Sequence, residues 1–366
     1  MEPLESRITY TLPPSTAPHE LAIVIGRFQP FHDGHLSVVR KALEVGTRVL
    51  VLIGSAFTAR TPRHPFDWQE RADAIRTALP AADRARVAFE PLRDHFDEAR
   101  WLAEVRRAAT QRLPPAGPGA AANSVALVGQ LRDATRDYLE AFPEWTPYRL
   151  PEVPVRRASE MRDAWFAAPE AALHALSAEM PASSIALLRS WSSRPQFAEL
   201  AREAELMRDY QATWKDAPYP PVLVTVDCIV KCSDHVLLIT RGQAPGRGML
   251  AVPGGFLDQR ETTRQAALRE LEEETHLDLP AATLRACLRA SDVFDRPDRS
   301  QRGRTITHGH FFDLGQRPLP ALRADDDALA AEWVPIAEVA AREDRFIDDH
   351  FQMLDHYLGL LDRPPL

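Results

Sequence analysis

The chain has 366 residues, 45% hydrophobic and 26% charged, with a formal net charge of −8. That length favours two or three domains, and the acidic balance excludes a general nucleic-acid binder, which needs a basic face. No apolar run approaches the roughly 18 residues of a membrane span, and the first 20 residues lack the pattern of a secretory signal, so no membrane partner and a cytoplasmic location are expected. The three cysteines, Cys228, Cys232 and Cys287, form no CxxC pair and read as reduced, structural thiols.

Residues 1–18 are rich in Pro, Ser and Thr and read as a flexible tail. Leu21–Ile25 and Val49–Ile53 are short continuous apolar runs, the mark of buried parallel strands, and the helical pattern from Gly34 to Glu44 between them completes a βαβ unit. Helices are expected over Gln69–Leu79, Phe96–Leu113, Asp133–Phe142 and Pro169–Ala178. They alternate with strands near Val87–Phe89, Ser124–Val128 and Arg149–Val153. This is the alternation of an open doubly wound α/β domain, placed at residues 19–183. Ser184–Thr213 reads as a spacer or packing helix between domains (184–217), and the proline-rich Asp216–Pro221 marks a boundary. Strands are then expected at Val222–Val230, His235–Thr240, Ala286–Val293, Thr305–Leu314 and Ala331–Val334. With a helix after Gly255 and another at Phe351–Leu361, residues 218–366 form an α+β domain with a mixed sheet.

Chemistry concentrates in two places. Gly26-Arg27-Phe28-Gln29-Pro30-Phe31-His32-Asp33-Gly34-His35 follows a buried strand and opens a helix. Glycines there allow close backbone approach, free amides at the helix start suit anions, and two histidines three apart reach phosphate oxygens from one side. No GxxxxGK[ST] stretch is present, so this is not a P-loop. The strand-glycine-arginine-HxGH-helix pattern resembles the nucleotidyltransferase superfamily, and specifically the archaeal-type nicotinamide mononucleotide (NMN) adenylyltransferases. Further stretches resemble the same family: Gly54-Ser55-Ala56 with Arg60, Pro65-Phe66, Trp68 and Glu70-Arg71; Gly129-Gln130-Leu131-Arg132-Asp133 with Tyr138, Phe142 and Trp145; and Arg157-Ala158-Ser159-Glu160-Met161-Arg162. Gln130, Arg132 and Arg157 depart from the family's His, Lys and Ser. The resemblance implies a Rossmann-like fold over about residues 21–180, with ATP as substrate. It also implies His32, His35 and Arg162 as catalytic residues on the triphosphate. Gly26, Arg27, Phe28, Gln29, Arg60, Phe66, Trp68, Arg71, Gly129, Arg132, Asp133 and Ser159 then line the ATP and NMN sites, Trp68 stacking on the nicotinamide ring.

The second place is Gly255-x5-Glu261-x7-Arg269-Glu270-Leu271-x-Glu273-Glu274. On a helix from about Thr262, Glu270, Glu273 and Glu274 fall at i, i+3 and i+4 and share one face, while Ala267, Leu268 and Leu271 form a stripe that can bury. Carboxylates that close repel one another unless neutralised, which points to a divalent metal. The stretch resembles the Nudix box, with His276 where the box has glycine. The resemblance implies a metal site of Glu270, Glu273 and Glu274, with Glu273 also catalytic. Mg²⁺, or Mn²⁺, is expected here and at the first site. Arg269 is expected to orient the glutamates and Glu261 to brace the loop. The arginine-dense loop from Asp295 to Arg304 is similar to that of Nudix domains fused to NMN adenylyltransferases, which act on ADP-ribose. It makes Arg299, Arg302 and Arg304, with Gly254 and Gly255, candidate ADP-ribose contacts.

The sequence therefore predicts a bifunctional enzyme of NAD metabolism: NMN and ATP are joined into NAD⁺ with release of pyrophosphate, and ADP-ribose is cleaved to AMP and ribose 5-phosphate. Its partners are small molecules, with a homodimer compatible. Two alternatives stand beside it: a Nudix domain that senses ADP-ribose without cleaving it, for which His276 speaks, or one that acts on another nucleoside diphosphate derivative.

Overall fold

The computed structural model describes residues 18–113, 124–130 and 138–361. In chain order its first half contains β1 (His19–Gly26), α1 (Asp33–Val45), β2 (Gly46–Ile53), α2 (Trp68–Ala78), α3 (Ala81–Arg84), β3 (Val87–Pro91), α4 (Glu98–Arg112), β4 (Val125–Gln130) and β5 (Thr146–Leu150). Four helices follow: α5 (Ala158–Ala167), α6 (Pro169–Leu176), α7 (Ala182–Ser192) and α8 (Pro195–Ala212). The five strands form one parallel sheet in the order β3-β2-β1-β4-β5. Both faces are covered, so consecutive strand residues alternate between two cores. Ala22, Val24, Val49, Val51, Ala126 and Val128 join the cluster under α1 and α2, while Leu21, Ile23, Leu50, Leu52 and Leu127 join the one under α4. Full burial of each large aliphatic chain contributes about 1.5–3 kcal/mol, which is why these runs specify central strands.

The order reverses between β1 and β4, and a crevice outside the carboxyl ends of strands at such a point is where doubly wound sheets bind ligands. Gly26, the last residue of β1, lies there. Helix starts follow local chemistry: Asp67 caps α2 in a reciprocal box with Glu70, and Asp97 accepts from Ala99 and Arg100 at the start of α4.

Two expectations change. The helix expected over Asp133–Phe142 is, in its described part, a 3-10 turn at Tyr138–Ala141, and residues 131–137 lie outside the described residues. The 184–217 spacer is not one helix. It breaks at Ser193–Arg194 because Pro195 starts α8 at a position that needs no amide donor. The apolar faces of α7 and α8 (Leu188, Trp191, Phe197, Leu200) join Phe66, Trp165 and Phe166 in one buried cluster. The segment is thus a packing element of the first domain, because its aromatic side chains have a core to enter.

The second half contains β6 (Leu223–Cys232), β7 (His235–Arg241), β8 (Leu250–Ala251), β9 (Gly254–Phe256), α9 (Thr263–Thr275), α10 (Ala281–Ala286), β10 (Leu288–Phe294), β11 (Thr305–Asp313), β12 (Ala328–Pro335), α11 (Ile336–Val339) and α12 (His350–Leu358). The sheet order is β10-β11-β6-β7-β12, with β8 on β7 and β9 on β6; β11 and β6 are parallel and the other pairs antiparallel. Ala266, Ala267 and Leu271 of α9 bury against one face, and Phe351, Met353 and Leu354 of α12 against the other. All three cysteines are buried and unbridged. Among the described residues no helix is long and apolar enough to cross a membrane.

The halves dock through specific contacts. Phe96 enters the second core beside Phe294, ring centroids 4.5 Å apart. Arg93 Nε is shared between both Glu343 carboxylate oxygens at 2.9 Å, Arg100 pairs with Asp355 at 2.8 Å, and Gln211 of α8 donates to the Gln301 carbonyl at 2.9 Å.

Candidate active sites

The first site is built on the turn from β1 into α1. His32 is the N-cap of α1. Its Nδ1 accepts from the His35 amide and the His35 Nδ1 accepts from the His32 amide, both at 3.4 Å. The two rings stack with centroids 3.7 Å apart. Because each Nδ1 is spent as an acceptor, the neutral ring carries its hydrogen on Nε2, which makes that atom a donor to an anion. A Cβ on Gly34 would lie 3.0 Å from the His32 ring, so the small residue lets the ring lie flat on the helix start. Phe28, buried with φ of 52°, is held edge-on to His35 at 5.1 Å.

Arg162 of α5 donates to the Gln29 carbonyl. Burial and the neighbouring Arg27 pull its pKa down to about 10, so it is a desolvated cation beside the histidine turn. Arg27 is more exposed and pairs with Asp298 of the second domain at 3.3 Å. Ser159 is exposed in the first turn of α5. Gly129 is the penultimate residue of β4, where a Cβ would lie 2.7 Å from the Tyr138 hydroxyl, and Gln130, its last residue and a family departure, donates to the Gly34 carbonyl at 2.9 Å. The positions of Arg132 and Asp133 lie outside the described residues.

Several expected substrate contacts also brace the protein. Arg71 is 1% exposed and its guanidinium donates to the carbonyls of Arg27, Gly54, Ser55 and Asp67 at 2.6–3.1 Å. It staples the loops after β1 and β2 together with four of its five N–H donors. Arg60 is taken by the Pro65 carbonyl, Asp67 and Glu70, with its plane over Trp191. Phe66 is buried among Trp165 and Trp191, and the Gln29 side chain is tied to the Phe66 backbone in both directions. Trp68 is half-buried against the core that contains Phe28 and Phe31. The α5–α8 cluster takes the Phe66 ring, while Trp68 packs on the core under α1 and α2.

The structure adds two residues that the sequence reading passed over. Arg63 donates to the carbonyls of Asp298 and Ser300, the latter at 3.0 Å. His64 is half-buried, its buried Nε2 has no hydrogen-bond partner among the described residues, and desolvation with four nearby arginines holds its pKa well below the usual range. Their signal in the sequence was only proximity to Pro65-Phe66. Both line a cleft of about 580 Å³ between the domains, with Arg27, Ser55, Arg296 and Asp298.

The second site lies on α9, which starts as expected at a Thr262–Gln265 capping box. Arg269 is its hub: it meets Glu261 at 2.7 and 3.1 Å, Glu270 at 2.9 Å, Glu273 at 2.8 Å and the Phe256 carbonyl at 3.1 Å. Glu274, 2% exposed, accepts from the Gly254 amide at 2.8 Å, and burial with Glu270 nearby pushes its pKa up to about 8. Burial raises Glu270 as well. Gly255 is required by close approach, since a Cβ would lie 2.4 Å from Glu270 Oε1. Among the described residues no set of three metal-ligating side chains is already gathered, because Arg269 holds Glu270 and Glu273. The donor set still fits a hard divalent cation: clustered carboxylates raised by burial are the groups that such an ion would keep ionised.

His276, in place of the box glycine, takes the left-handed conformation (φ 39°, ψ 47°) and still closes the helix, its amide bonding the Glu272 carbonyl and its ring meeting Asp325 at 2.9 Å. Of the loop arginines, Arg302 lies over the Phe256 ring at 5.7 Å, beside the Nudix-box turn. Arg299 is buried against Asp349 at 2.7 and 3.1 Å, and Arg304 is tied to the Asp295 carbonyl, so both are taken by the protein itself.

Comparison with known proteins agrees with both halves. The cytidylyltransferase-like family model matches residues 23–107 and the NUDIX domain model residues 221–357. A nicotinamide/nicotinic acid mononucleotide adenylyltransferase of Acinetobacter baylyi is 32% identical over 145 residues, 39% of this chain and 74% of its own length. An ADP-ribose pyrophosphatase of Methanocaldococcus jannaschii is 32% identical over 137 residues, 37% of this chain and 72% of its own. Two crystal structures of a bifunctional NMN adenylyltransferase/ADP ribose pyrophosphatase from Francisella tularensis, one complexed with AMP and a manganese ion, are 32% identical. Each covers 93% of this chain and 99% of its own, with TM-scores of 0.85 and 0.83. The chain belongs to the family of bifunctional enzymes that join an NMN adenylyltransferase to an ADP-ribose pyrophosphatase of the Nudix type.

Proposed function

We propose that the first domain transfers AMP from ATP to NMN, giving NAD⁺ and pyrophosphate, and that the second hydrolyses ADP-ribose to AMP and ribose 5-phosphate. The observation that carries this reading is the presence of both machineries in one chain, His32–His35 at the β1–α1 turn and the full glutamate set on α9, along a fold shared end to end with a bifunctional relative.

In the first domain the NMN phosphate, with a second pKa of about 6, is already an anionic nucleophile at neutral pH and needs no general base. The protein's task is alignment with the α-phosphorus of ATP and stabilisation of the charge that develops on the phosphate oxygens. The Nε2 donors of His32 and His35 and the cations of Arg162 and Arg27 are assigned to the triphosphate. Gly26 and Gly129 let Phe28 and Tyr138 pack directly on the backbone at the ends of β1 and β4.

In the second domain Glu270, Glu273 and Glu274 would hold the divalent ion, Mg²⁺ in this proposal. When bound, the ion polarises the diphosphate and lowers the pKa of the attacking water. Arg269 keeps Glu270 and Glu273 positioned, Glu261 anchors Arg269, and the Gly254 amide orients Glu274. Arg302 and the Gly254–Gly255 turn face the diphosphate. The intact helix end at His276 favours catalysis over a silent sensor.

Incubation with Mg²⁺ and either NMN plus ATP or ADP-ribose tests both halves. Formation of NAD⁺ and of AMP is expected. ADP-ribose binding without AMP release would assign the Nudix domain a sensing role.

A further inference from the structure

Helix α8 belongs to the first domain's core through Phe197, Leu200 and Ala204, yet its polar side chains reach the second domain in two places. Glu203 Oε2 accepts from the Gly246 amide at 3.1 Å, and Gln211 Nε2 donates to the Gln301 carbonyl at 2.9 Å. Each bond falls on a peptide unit that supports an arginine. The Pro245–Gly246 peptide, which gives its N–H to Glu203, gives its carbonyl to Arg241 Nε at 3.0 Å. The Gln301–Arg302 peptide, whose carbonyl meets Gln211, gives its N–H to the Ser300 hydroxyl at 3.3 Å and carries the Arg302 side chain. A peptide unit is planar, so fixing one of its polar groups fixes the direction of the other.

Both arginines belong to the surroundings of the Nudix box. Arg302 lies over the ring of Phe256, the residue after Gly255, at 5.7 Å. Arg241 ends β7, and its charge acts on Glu203 of α8 and on Glu274 of α9 alike. Asp227 and Asp348 lie in range of Arg302, so the neighbourhood is mixed in charge and what α8 supplies is position. Among the described residues the terminal nitrogens of Arg241 make no hydrogen bond, and Glu203 Oε1 is buried with no partner. A buried carboxylate oxygen without a partner costs stability, which makes this contact a poor choice for a bond that serves the fold alone.

We propose that α8 is a positioning element of the ADP-ribose site. Glu203 sets Arg241 through the Pro245–Gly246 peptide, Gln211 sets Arg302 through the Gln301 carbonyl, and the two guanidinium groups take the diphosphate of ADP-ribose. This rests on the ADP-ribose reading above and deepens it. The second reaction's substrate affinity then depends on a helix of the first domain, while the chemistry at the glutamates does not.

The test uses the full chain and steady-state kinetics of ADP-ribose hydrolysis with Mg²⁺. Glu203→Ala is expected to raise KM about tenfold with kcat within about threefold, the pattern of binding lost equally from ground and transition states. Glu203→Gln keeps an acceptor for the Gly246 amide and should recover most of the loss. Gln211→Ala should raise the same KM about fivefold, and it carries the test if Glu203→Ala does not fold. A merely structural bond would lower the melting temperature and leave that KM unchanged, so melting curves and NAD⁺ formation are followed in each variant and are expected to stay close to wild type. Calorimetric titration of ADP-ribose into the metal-free protein reads binding without turnover, with about tenfold weaker affinity expected in Glu203→Ala. Wild type that binds ADP-ribose but releases no AMP, with binding still dependent on Glu203, would remove the hydrolase reading alone. Wild type that neither binds nor cleaves ADP-ribose would remove both. With wild type active, KM and affinity within about twofold of its values in Glu203→Ala and Gln211→Ala, or a parallel loss of NAD⁺ formation, would overturn the proposal.

Discussion

Around Gly26–His35 the protein stores positive charge and hydrogen-bond donors ahead of any ligand, whereas on α9 it stores carboxylates. The first centre is finished: Arg71 staples its loops, the histidines fix each other's tautomers, and Arg162 is desolvated in place. The second is held open. Arg269 neutralises part of the glutamate cluster, and Glu274 is left with a raised pKa. The difference follows from the ligands. Phosphate anions are met by fixed protein donors, while a metal-dependent site must keep surplus negative charge until the ion arrives.

The sharpest way to break this contrast is His35→Ala, expected to cut NAD⁺ formation about 10²–10³-fold while ADP-ribose hydrolysis stays within twofold. Parallel loss of both activities in a folded protein would mean the centres are not separable. Next in size, Glu273→Gln should lower AMP release from ADP-ribose about 100-fold and spare NAD⁺ formation; unchanged hydrolysis would take Glu273 out of the metal site. Arg71→Met tests whether the first centre is preorganised by a brace. Four hydrogen bonds to main-chain carbonyls are lost, at a cost of about 3 kcal/mol. A lowered melting temperature is expected, whereas a raised KM with unchanged melting would make Arg71 a substrate ligand after all.

The smallest effect lies between the two regions. Burial holds the Glu343 carboxyl at about 7, against an ordinary 4.5, despite the Arg93 guanidinium at 2.9 Å. A folded-state pKa above the unfolded one means the folded protein keeps the proton longer. Stability from this group is therefore present below pH 4.5 and lost as pH rises through 7. Melting curves across that window should flatten in Glu343→Gln, and an identical slope would remove Glu343 as the source.

Much of this was legible from residue order. Leu21–Ile25 and Val49–Ile53 are apolar at every position, as a strand covered on both faces requires, and the helix read from about Thr262 is α9, with Glu270, Glu273 and Glu274 at i, i+3 and i+4. His276 was read as a departure and is one, yet its left-handed backbone and the Asp325 contact make it serve as a helix end. Arg60, Phe66, Arg71 and Arg299 also hold the fold together, which the motifs did not reveal: a cation or aromatic ring in a motif looks the same whether or not it braces the protein, and the partners range from the nearby Pro65 carbonyl for Arg60 to the distant Asp349 carboxylate for Arg299.

By itself, the sequence determined the two domain types, the order of the central strands' cores and the two clusters of reactive side chains, because periodicity and motif spacing are local properties of the chain. Only the tertiary structure decided which charged groups already have partners within the protein and that α7 and α8 belong to the first core. Those outcomes depend on contacts between residues far apart in sequence, such as Arg27 with Asp298 and Arg93 with Glu343, where burial and geometry set the balance.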